Sequence, residues 1–535
     1  MRRFLWVLLA ALVVVEPKSS IGVDGASGRR AGNVVARLGG PTAGSGGVLR
    51  LGVTALATLD PAKARTIDQQ LVADQLFDSL TALDPGSQAA VPALAARWEA
   101  SLDQRQWDFH LRPGALFSDG RPITAADVKY SLERVARPGS GSPASDLLQP
   151  VTGYVALRQG APELAGVTAP ALDVVRISLE QPWSVFPSVL ASPVFGVLPE
   201  PAVEAPPPAL AFPERPVGSG PFKLRDRRRG MLSLVPSPRS TARLAGIEVT
   251  EFDTVASAYA AFTAGRLDWA QVPPDEIDAA ARRYGRDAFS PYVAQLFYGF
   301  NLENPKFADP RFREALVRAI DRRAVVAAVY QGAVRPLDGI VLEGLAEFQA
   351  KACGRCGHDP ARARALLAEL FPGTGPRDIA LDFDADPSQE ALANAIQAGL
   401  REVGVTVTIR PRPPDEYDEF VVSGQQELFR LGWIAAYPSA DAFLAPMFSS
   451  ASPNNLTRFA SPAVDEQLRR ARAEPDAARR TELYREAERA ILDDVPVIPI
   501  AQFRLHAVVS KRVRNLRANA LGSFDASTVT VAGRR

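Results

Sequence analysis

The sequence predicts an α/β protein that is divided into more than one lobe. Its 535 residues are more than one hydrophobic core usually accommodates. Residues 106–135 read as an alternating strand, two turns and a helix, and residues 379–410 as a strand, a long helix and a second strand. The second pattern is typical of a parallel βαβ unit.

The first elements follow from local periodicity. Residues 48–54 alternate as a short strand, and residues 68–80 carry an apolar stripe at helical spacing. Within 106–135, Thr124 and Asp127 form a variant of the capping box, so we expect a helix to begin after Thr124.

Later elements are marked by their start and stop residues. Asp309 before Pro310 predicts one helix start, and Asp321 predicts a second helix that Gly332 ends. The other predicted elements are a strand at 246–252, a helix at 256–264, a third part of the chain beginning at Phe297, helices at 461–473 and 475–492, and a returning segment at 495–500.

Composition excludes several classes of function. The formal net charge of +1 argues against a nucleic-acid partner, which needs a clustered basic face. With three histidines in the chain, and no serine-histidine-aspartate arrangement, phosphate loop or zinc-protease helix, the sequence predicts a protein without catalytic residues. The composition does not exclude an enzyme that uses a pair of carboxylates.

The N-terminus reads as an export signal. Arg2 and Arg3 precede an apolar run that is shorter than the roughly 20 residues of a membrane span. We therefore predict a signal peptide at residues 1–24 and a flexible, glycine-rich leader at 25–47. No cysteine stands where a lipoprotein signal needs one, so we expect a periplasmic or otherwise extracytoplasmic protein. An uncleaved anchor is the alternative.

Two segments resemble a known family. Residues 106–135 (QWDFHLRPGALFSDGRPITAADVKYSLERV) and the run from Gly432 and Trp433 to Phe443 resemble the family 5, or peptide/nickel class, extracellular solute-binding proteins of ABC importers. The resemblance extends from Val48 to about Leu516. It implies a three-lobe periplasmic-binding-protein-like fold of the class II or cluster C type, with a discontinuous first lobe.

The implied lobes have the following bounds. The first lobe consists of residues 48–83, 206–295 and 500–535, and the segment 500–535 also includes a tail. The second lobe consists of residues 84–205, and the third of residues 296–499.

The resemblance also implies a function. The protein is expected to be a monomer that captures peptides or peptide-like solutes in an interlobe cleft and delivers them to an ABC permease and ATPase complex, without a cofactor. The alternatives are a sensory or regulatory binding module without its own transporter, and a binder of a non-peptide solute such as a sugar, an opine or a metal chelate.

Several residues are expected in the cleft on this resemblance. Arg65, Thr66 and Ile67 match a segment that lines the ligand in oligopeptide-binding relatives. Arg430 matches an arginine near the ligand carboxylate, which suits the bidentate guanidinium. Its alternative is a solvated surface charge. Trp433 falls on the family pattern.

The run after Trp433 departs from the family at one position. Tyr437 and Asp441 match the pattern, whereas Ala436 stands where peptide-binding members carry an aspartate that pairs with the ligand's α-ammonium. Either the ligand lacks a free amino terminus, or another carboxylate takes this role. The alternative interpretation of Asp441 is a surface turn residue.

Aromatic and cysteine residues supply the remaining candidates. Tyr298 and Phe300 share one face of a predicted strand, where they either line the cleft or belong to the core. Cys353 and Cys356 are expected to form a local disulfide in an exported protein. A zinc site with His358 is disfavoured because it lacks a fourth ligand, and we expect no metal.

Overall fold

The computed structural model describes residues 46–54, 56–203, 212–285, 289–330, 332–373 and 377–532. The predicted signal peptide and almost all of the predicted leader lie outside these ranges. Within them, no helix combines the length and the apolar character that crossing a membrane requires.

The described residues form strands β1 (Val48–Val53), β2 (Thr81–Leu83), β3 (Ala90–Pro92), β4 (Ala95–Ala100), β5 (Gln106–Leu111), β6 (Val167–Ala171), β7 (Val174–Ser178), β8 (Phe222–Arg228), β9 (Met231–Pro236), β10 (Gly246–Glu251), β11 (Trp269–Gln271), β12 (Phe289–Phe300), β13 (Val334–Pro336), β14 (Asp378–Asp384), β15 (Thr406–Arg412), β16 (Leu428–Ile434), β17 (Val497–Val509), β18 (Val513–Arg514) and β19 (Thr530–Val531).

The α-helices of the described residues are α1 (Ile67–Leu76), α2 (Ala125–Ala136), α3 (Tyr154–Arg158), α4 (Phe186–Val189), α5 (Glu200–Val203), α6 (Val255–Thr263), α7 (Ile277–Tyr284), α8 (Pro310–Arg318), α9 (Arg322–Tyr330), α10 (Pro360–Leu370), α11 (Pro387–Glu402), α12 (Pro414–Ser423), α13 (Asp441–Phe448), α14 (Pro462–Ala473) and α15 (Ala477–Asp493).

One large sheet runs through the molecule. Ten of its strands follow the order β15-β14-β16-β12-β17-β11-β1-β10-β9-β8, and β13 adds to β17. A separate sheet of four strands, β4-β5-β7-β6, packs against α2. The two halves of the large sheet meet at β12 and β17, which pair with each other and with a neighbour on each side.

Strands β12 and β17 are the longest of the described strands, with 12 and 13 residues. Their antiparallel register shifts between Pro291 and Gln295, so the ladder is irregular in the middle of β12. The predicted lobe boundaries at 295/296 and 499/500 fall inside these two strands. Strand β12 pairs with β16 on one side and β17 pairs with β11 on the other, so these two strands join the two halves of the large sheet.

Local sequence signals account for several elements. Thr124 and Asp127 form the predicted capping box at the start of α2, and the hydroxyl of Thr124 donates to Asp127 at 2.7 Å. The predicted βαβ unit is confirmed, because β14 and β15 pair in parallel on either side of α11. Asp309 caps α8 by accepting a hydrogen bond from the backbone N–H of Arg311.

Two element boundaries were predicted wrongly. Helix α1 begins at Ile67, where Thr66 and Gln69 form a capping box, and it ends at Leu76, because Phe77 already has an extended backbone. Strand β12 begins at Phe289, eight residues before the predicted start at Phe297. Pro291 and Gln295 interrupt the alternation of side chains in the first part of β12, and the register shift lies between them.

Candidate functional site

A cavity of about 350 Å³ lies against the large sheet where β12 and β17 pair. Its wall is formed by the ends of β1, β11 and β16, by the start of α1 and by residues 143–147 and 192–194 of the region around the four-stranded sheet. A volume of this size suits a small solute. We refer to this space as the central cavity.

The start of α1 forms one polar wall of the central cavity. The carboxylate of Asp68 accepts hydrogen bonds from the backbone N–H and the hydroxyl of Thr54 at 2.7 and 3.0 Å, and from the amide of Gln271 at 2.8 Å. Each of these three residues lines the cavity. The network fixes the orientation of the carboxylate and joins α1 to the ends of β1 and β11.

Strand β17 contributes four further lining residues, Phe503, Arg504, Leu505 and His506. Burial and, to a smaller extent, the positive charge of Arg504 together lower the pKa of His506 to about 4. The imidazole is therefore neutral at pH 7.

The irregular part of β12 contributes Tyr292, which also lines the cavity. Burial raises the pKa of this tyrosine to about 12, so its hydroxyl stays protonated and can donate a hydrogen bond.

Four of the predicted cleft residues line the central cavity: Arg65, Thr66, Ile67 and Ala436. Arg65 also donates from Nη2 to the carbonyl oxygen of Gly141 at 2.7 Å, which connects α1 to the loop after α2. Ala436 follows the end of β16 and is exposed. A larger side chain at this position would enter the cavity.

The structure places Tyr298 and Phe300 in the core. Both side chains are fully buried, and Phe300 packs against Phe307 with ring centroids 5.2 Å apart. Because β12 is an interior strand between β16 and β17, aromatic spacing alone did not separate a cleft position from a core position.

Arg430 is buried, in contrast to the surface charge that was its alternative. Its Nη1 lies 3.2 Å from a carboxylate oxygen of Asp384, and the Arg430 side chain is 8% exposed. Trp433 is partly buried, and its indole N–H donates to the carbonyl oxygen of Ala442 at 2.7 Å. Neither side chain lines the central cavity.

Asp441 is completely buried, so its interpretation as a surface turn residue was wrong. Its carboxylate accepts hydrogen bonds from the indole of Trp183, the hydroxyls of Tyr437 and Tyr484 and the guanidinium of Arg472, at 2.7 to 3.1 Å. Burial pushes the pKa of Asp441 upward, but Arg472 and the hydrogen bonds outweigh burial and hold the pKa below its usual range. Tyr437 belongs to this network and does not line the cavity.

Cys353 and Cys356 form a disulfide with Cα atoms 5.3 Å apart. Thiolates are therefore not available at this position for zinc. Throughout the described ranges, no three histidine, cysteine, aspartate or glutamate side chains are grouped in a way that could hold a metal ion.

Comparison with known proteins places the chain in a family. Residues 89–455 match the family described as bacterial extracellular solute-binding proteins, family 5 Middle, and this segment is more than half of the chain. The chain belongs to family 5 of the bacterial extracellular solute-binding proteins. The resemblance carried by residues 106–135 and by the run from Gly432 to Phe443 is thereby confirmed.

Two curated relatives match most of the chain. A probable deoxycholate-binding periplasmic protein, YgiS of Escherichia coli strain K12, is 28% identical over 83% of this chain and 85% of its own length. A probable di/tripeptide-binding protein of Pseudomonas aeruginosa strain UCBPP-PA14 is 28% identical over 86% of this chain and 90% of its own length.

A solved structure shows the same fold. The MppA periplasmic murein tripeptide binding protein, in its unliganded open form, superposes with a TM-score of 0.82, covers 91% of this chain and 99% of its own, and is 24% identical. The predicted α/β periplasmic-binding-protein-like fold is therefore confirmed.

Sequence reasoning missed several cavity residues of this family 5 protein. Arg504 and His506 continue an alternation of polar residues that begins at Gln502 in the mostly apolar strand β17, and this alternation was a signal that one face of β17 meets polar groups. Asp68 directly follows the predicted segment 65–67. Tyr292 had no such signal, because its position depends on the register shift within β12.

Proposed function

We propose that this family 5 protein captures a peptide or peptide-like solute in the central cavity and delivers it to an ABC permease and ATPase complex. The observation that carries the proposal is the position of the cavity at the strands β12 and β17, where the two halves of the large sheet meet. A solute bound there contacts both halves at once.

The mixture of apolar and polar side chains in the cavity wall favours an amphipathic solute. Apolar side chains such as Ile67, Leu147 and Phe503 surround a small number of polar groups, among them Arg65 and Asp68. Such a wall buries the side chains of a short peptide and offers hydrogen bonds to its backbone and ends. The di/tripeptide-binding relative of Pseudomonas aeruginosa agrees with this class of ligand.

A non-peptide solute with an apolar body and a carboxylate is the second candidate. It is favoured by the largely apolar wall next to Arg504, together with the deoxycholate-binding relative of Escherichia coli. Both candidates place a carboxylate near the same wall, so the identity of the bound solute distinguishes them.

The proposal includes closure about a hinge. The division into a first lobe (48–83, 206–295 and 500–535), a second lobe (84–205) and a third lobe (296–499) puts the lobe boundaries inside β12 and β17. Bending of these two strands would bring the first and third lobes together around the solute. Small-angle scattering should then show a smaller radius of gyration with ligand; an unchanged radius at saturation contradicts closure.

The proposal also includes export of a monomer that has no catalytic activity of its own. It rests on the basic and apolar N-terminal segment, which lacks a lipoprotein cysteine, and on membership of an extracellular binding family. N-terminal sequencing of the native protein is expected to begin between Ile21 and Gly47. A chain that begins at Met1 contradicts cleavage.

Identification of the bound solute tests the proposed function. The protein is purified from its native source without refolding and denatured, and the released small molecules are identified by mass spectrometry. We expect peptides or peptide-like solutes that rebind in calorimetric titration and raise the melting temperature by linkage. Release and rebinding of a steroid-like carboxylate would favour the second candidate.

A further inference from the structure

The central cavity is lined by two side chains with a permanent positive charge. Among the described residues of its wall, these are Arg65, directly before α1, and Arg504 of β17. Arg430, which the sequence places near a ligand carboxylate, does not line the cavity. Of these three arginines, only Arg65 and Arg504 can therefore meet an anionic group of a solute that is bound in the cavity.

The negative charge of the cavity wall is buried and hydrogen-bonded. Asp68 is the one carboxylate among the described lining residues, and it is 3% exposed. Its oxygens accept three hydrogen bonds from Thr54 and Gln271. Because a carboxylate has about four acceptor positions, Asp68 has little capacity left for a cation of the solute. His506 is neutral at pH 7, so the described wall carries more positive than negative charge.

Tyr292 offers a hydrogen-bond donor to the same cavity. Its side chain is 7% exposed and lines the cavity, and its hydroxyl makes no hydrogen bond with any residue that the structure describes. The hydroxyl stays protonated, because burial raises its pKa to about 12. Buried polar groups are nearly always hydrogen-bonded, so this hydroxyl points to an acceptor that a ligand supplies.

The N-terminus of α1 adds a donor from the backbone. Ile67 is the first residue of this ten-residue helix and lines the cavity. Its N–H has no hydrogen-bond partner within the described ranges, whereas the N–H of Gln69 donates to the hydroxyl of Thr66. The first N–H groups of a helix and the positive end of its dipole favour an anion such as a carboxylate.

Strand register and hydrogen bonds bring these groups to one part of the wall. Pro291, the residue before Tyr292, is paired with Arg504 across β12 and β17. Gln271 lies on β11, the other neighbour of β17, and donates to Asp68 in the first turn of α1. The start of α1, Arg504 and Tyr292 thus line one connected cavity of about 350 Å³, in which a small solute can contact all three.

We propose an anion subsite in the central cavity, which receives the carboxylate of the captured solute. Its groups are the guanidiniums of Arg65 and Arg504, the N–H of Ile67 and the hydroxyl of Tyr292. This inference rests on the proposed capture of a solute in this cavity and names the end by which the solute is held.

Two dipeptides that differ only at the carboxyl end test the subsite: N-acetyl-alanyl-phenylalanine and its carboxamide. The acetyl group removes the ammonium, so the two probes differ in charge only at the carboxyl end. In calorimetric titration, we expect the acid to bind the unmodified protein about tenfold more tightly than the amide, because charge-assisted hydrogen bonds are stronger than neutral ones. General damage to the protein would weaken both probes and leave this ratio unchanged.

Tyr292→Phe removes only the hydroxyl and should reduce the ratio to less than about threefold. Tyr259→Phe is the matched control, because Tyr259 is 8% exposed and lies outside the cavity wall. This control should retain the ratio of the unmodified protein.

Arg65→Gln is the second variant, and it decides the test if Tyr292→Phe does not fold. It removes a positive charge from a partly exposed side chain and should also reduce the ratio to less than about threefold. Its control is Lys63→Gln, at an exposed lysine outside the cavity wall, which should leave the ratio unchanged. A ratio that stays near tenfold in every folded variant overturns the subsite.

The outcomes separate the inference from the proposed function. Equal affinity of the acid and the amide for the unmodified protein overturns the anion subsite and leaves peptide capture intact. Binding of neither probe contradicts capture of peptides of this size, and the subsite is then decided by probes that are not peptides.

Those probes are hydrocinnamate and hydrocinnamamide, with the ¹³Cζ resonance of Tyr292 as readout. A saturable shift with the acid, and a smaller shift or none with the amide, supports the subsite. Absence of a shift with the acid, or equal shifts with both probes, overturns it.

Discussion

The indole N–H of Trp183 donates a 2.8 Å hydrogen bond to the carboxylate of Asp441, across 258 positions of the sequence. Trp183 follows β7 of the four-stranded sheet, and Asp441 begins α13 beside the end of β16. Arg472 completes the contact, with its guanidinium 5.4 Å from the Trp183 ring and bonded to Asp441. This buried group of side chains therefore connects the segment after β7 of the four-stranded sheet to helix α13, which follows β16.

Asp441→Asn should destabilise the protein, because it leaves the guanidinium of Arg472 without its countercharge. Removing one partner of a buried ion pair typically costs about 3–5 kcal/mol, and the partial exposure of Arg472 favours the lower end. Trp183→Phe keeps an aromatic ring and loses one hydrogen bond to a charged group, so its cost should be about 2 kcal/mol. Urea unfolding measures both.

The matched control is Asp465→Asn. Asp465 lies on α14, the helix that carries Arg472. Its carboxylate accepts one exposed hydrogen bond, from the backbone N–H of Ser450. Its change in the free energy of unfolding should be within about 1 kcal/mol. A loss for Asp441→Asn no larger than that of this control would show that the buried network contributes little.

Sequence patterns predicted the parts of the fold that depend on neighbouring residues. The capping box of Thr124 and Asp127 and the unit β14-α11-β15 are set by residues close in the chain, and the structure has them as predicted. Two of the partners of Asp441, Trp183 and its ion-pair partner Arg472, are 258 and 31 positions away, and nothing near either residue identifies it as a partner. Burial of Asp441 therefore could not be read from its turn-like surroundings.

The candidate site was predictable to a similar extent. The segment from Arg65 to Ile67 lies at a helix start after a strand, where α/β proteins place ligand-binding loops, and it lines the cavity. Arg430 depends on tertiary contacts, because its partner Asp384 comes from another strand of the sheet. A pattern match along one strand gives no information about such a partner.

The partly buried Asp74 should make stability depend on pH. The pKa of Asp74 is raised from 3.8 to about 7, chiefly by burial and also by the charges of Asp525 and Asp78, although a hydrogen bond from Ser523 acts in the opposite direction. Between pH 4 and 7, the folded state therefore binds more protons at Asp74 than the unfolded state does. This contribution to the free energy of unfolding falls as pH rises through that window and is level above it.

Asp74→Asn removes this dependence, so the variant should gain stability relative to the unmodified protein between pH 4 and pH 8. We expect a relative gain of about 4 kcal/mol, because each unit by which the pKa differs between the folded and unfolded states is worth about 1.4 kcal/mol. Urea unfolding at both pH values measures it. Asp253→Asn, at an exposed aspartate, serves as control and should show no such trend. A constant difference between Asp74→Asn and the unmodified protein would contradict the assignment.

The disulfide between Cys353 and Cys356 should contribute little to stability. It closes a loop with a sequence separation of three, and the loss of chain entropy in the unfolded state is smallest for short loops. Reduction should lower the free energy of unfolding by about 2 kcal/mol or less. The double variant Cys353→Ser and Cys356→Ser should show the same loss and no further response to reductant; a much larger loss would indicate that the bridge organises the surrounding segment.

Ala436→Trp should block the central cavity while leaving the fold intact. Ala436 is exposed at the end of β16 and lines the cavity, so a tryptophan side chain can enter that space without displacing the core. We expect the solute that is released from the purified protein to bind at least tenfold more weakly, because the indole occupies volume that the solute needs. Calorimetric titration measures the affinity, and urea unfolding should show that the free energy of unfolding changes by no more than about 1 kcal/mol.

Ala100→Trp, at an exposed alanine of β4 outside the cavity wall, is the control and should bind the solute like the unmodified protein. If Ala436→Trp retained full affinity, the solute would have to bind elsewhere, and the central cavity would lose its role in capture.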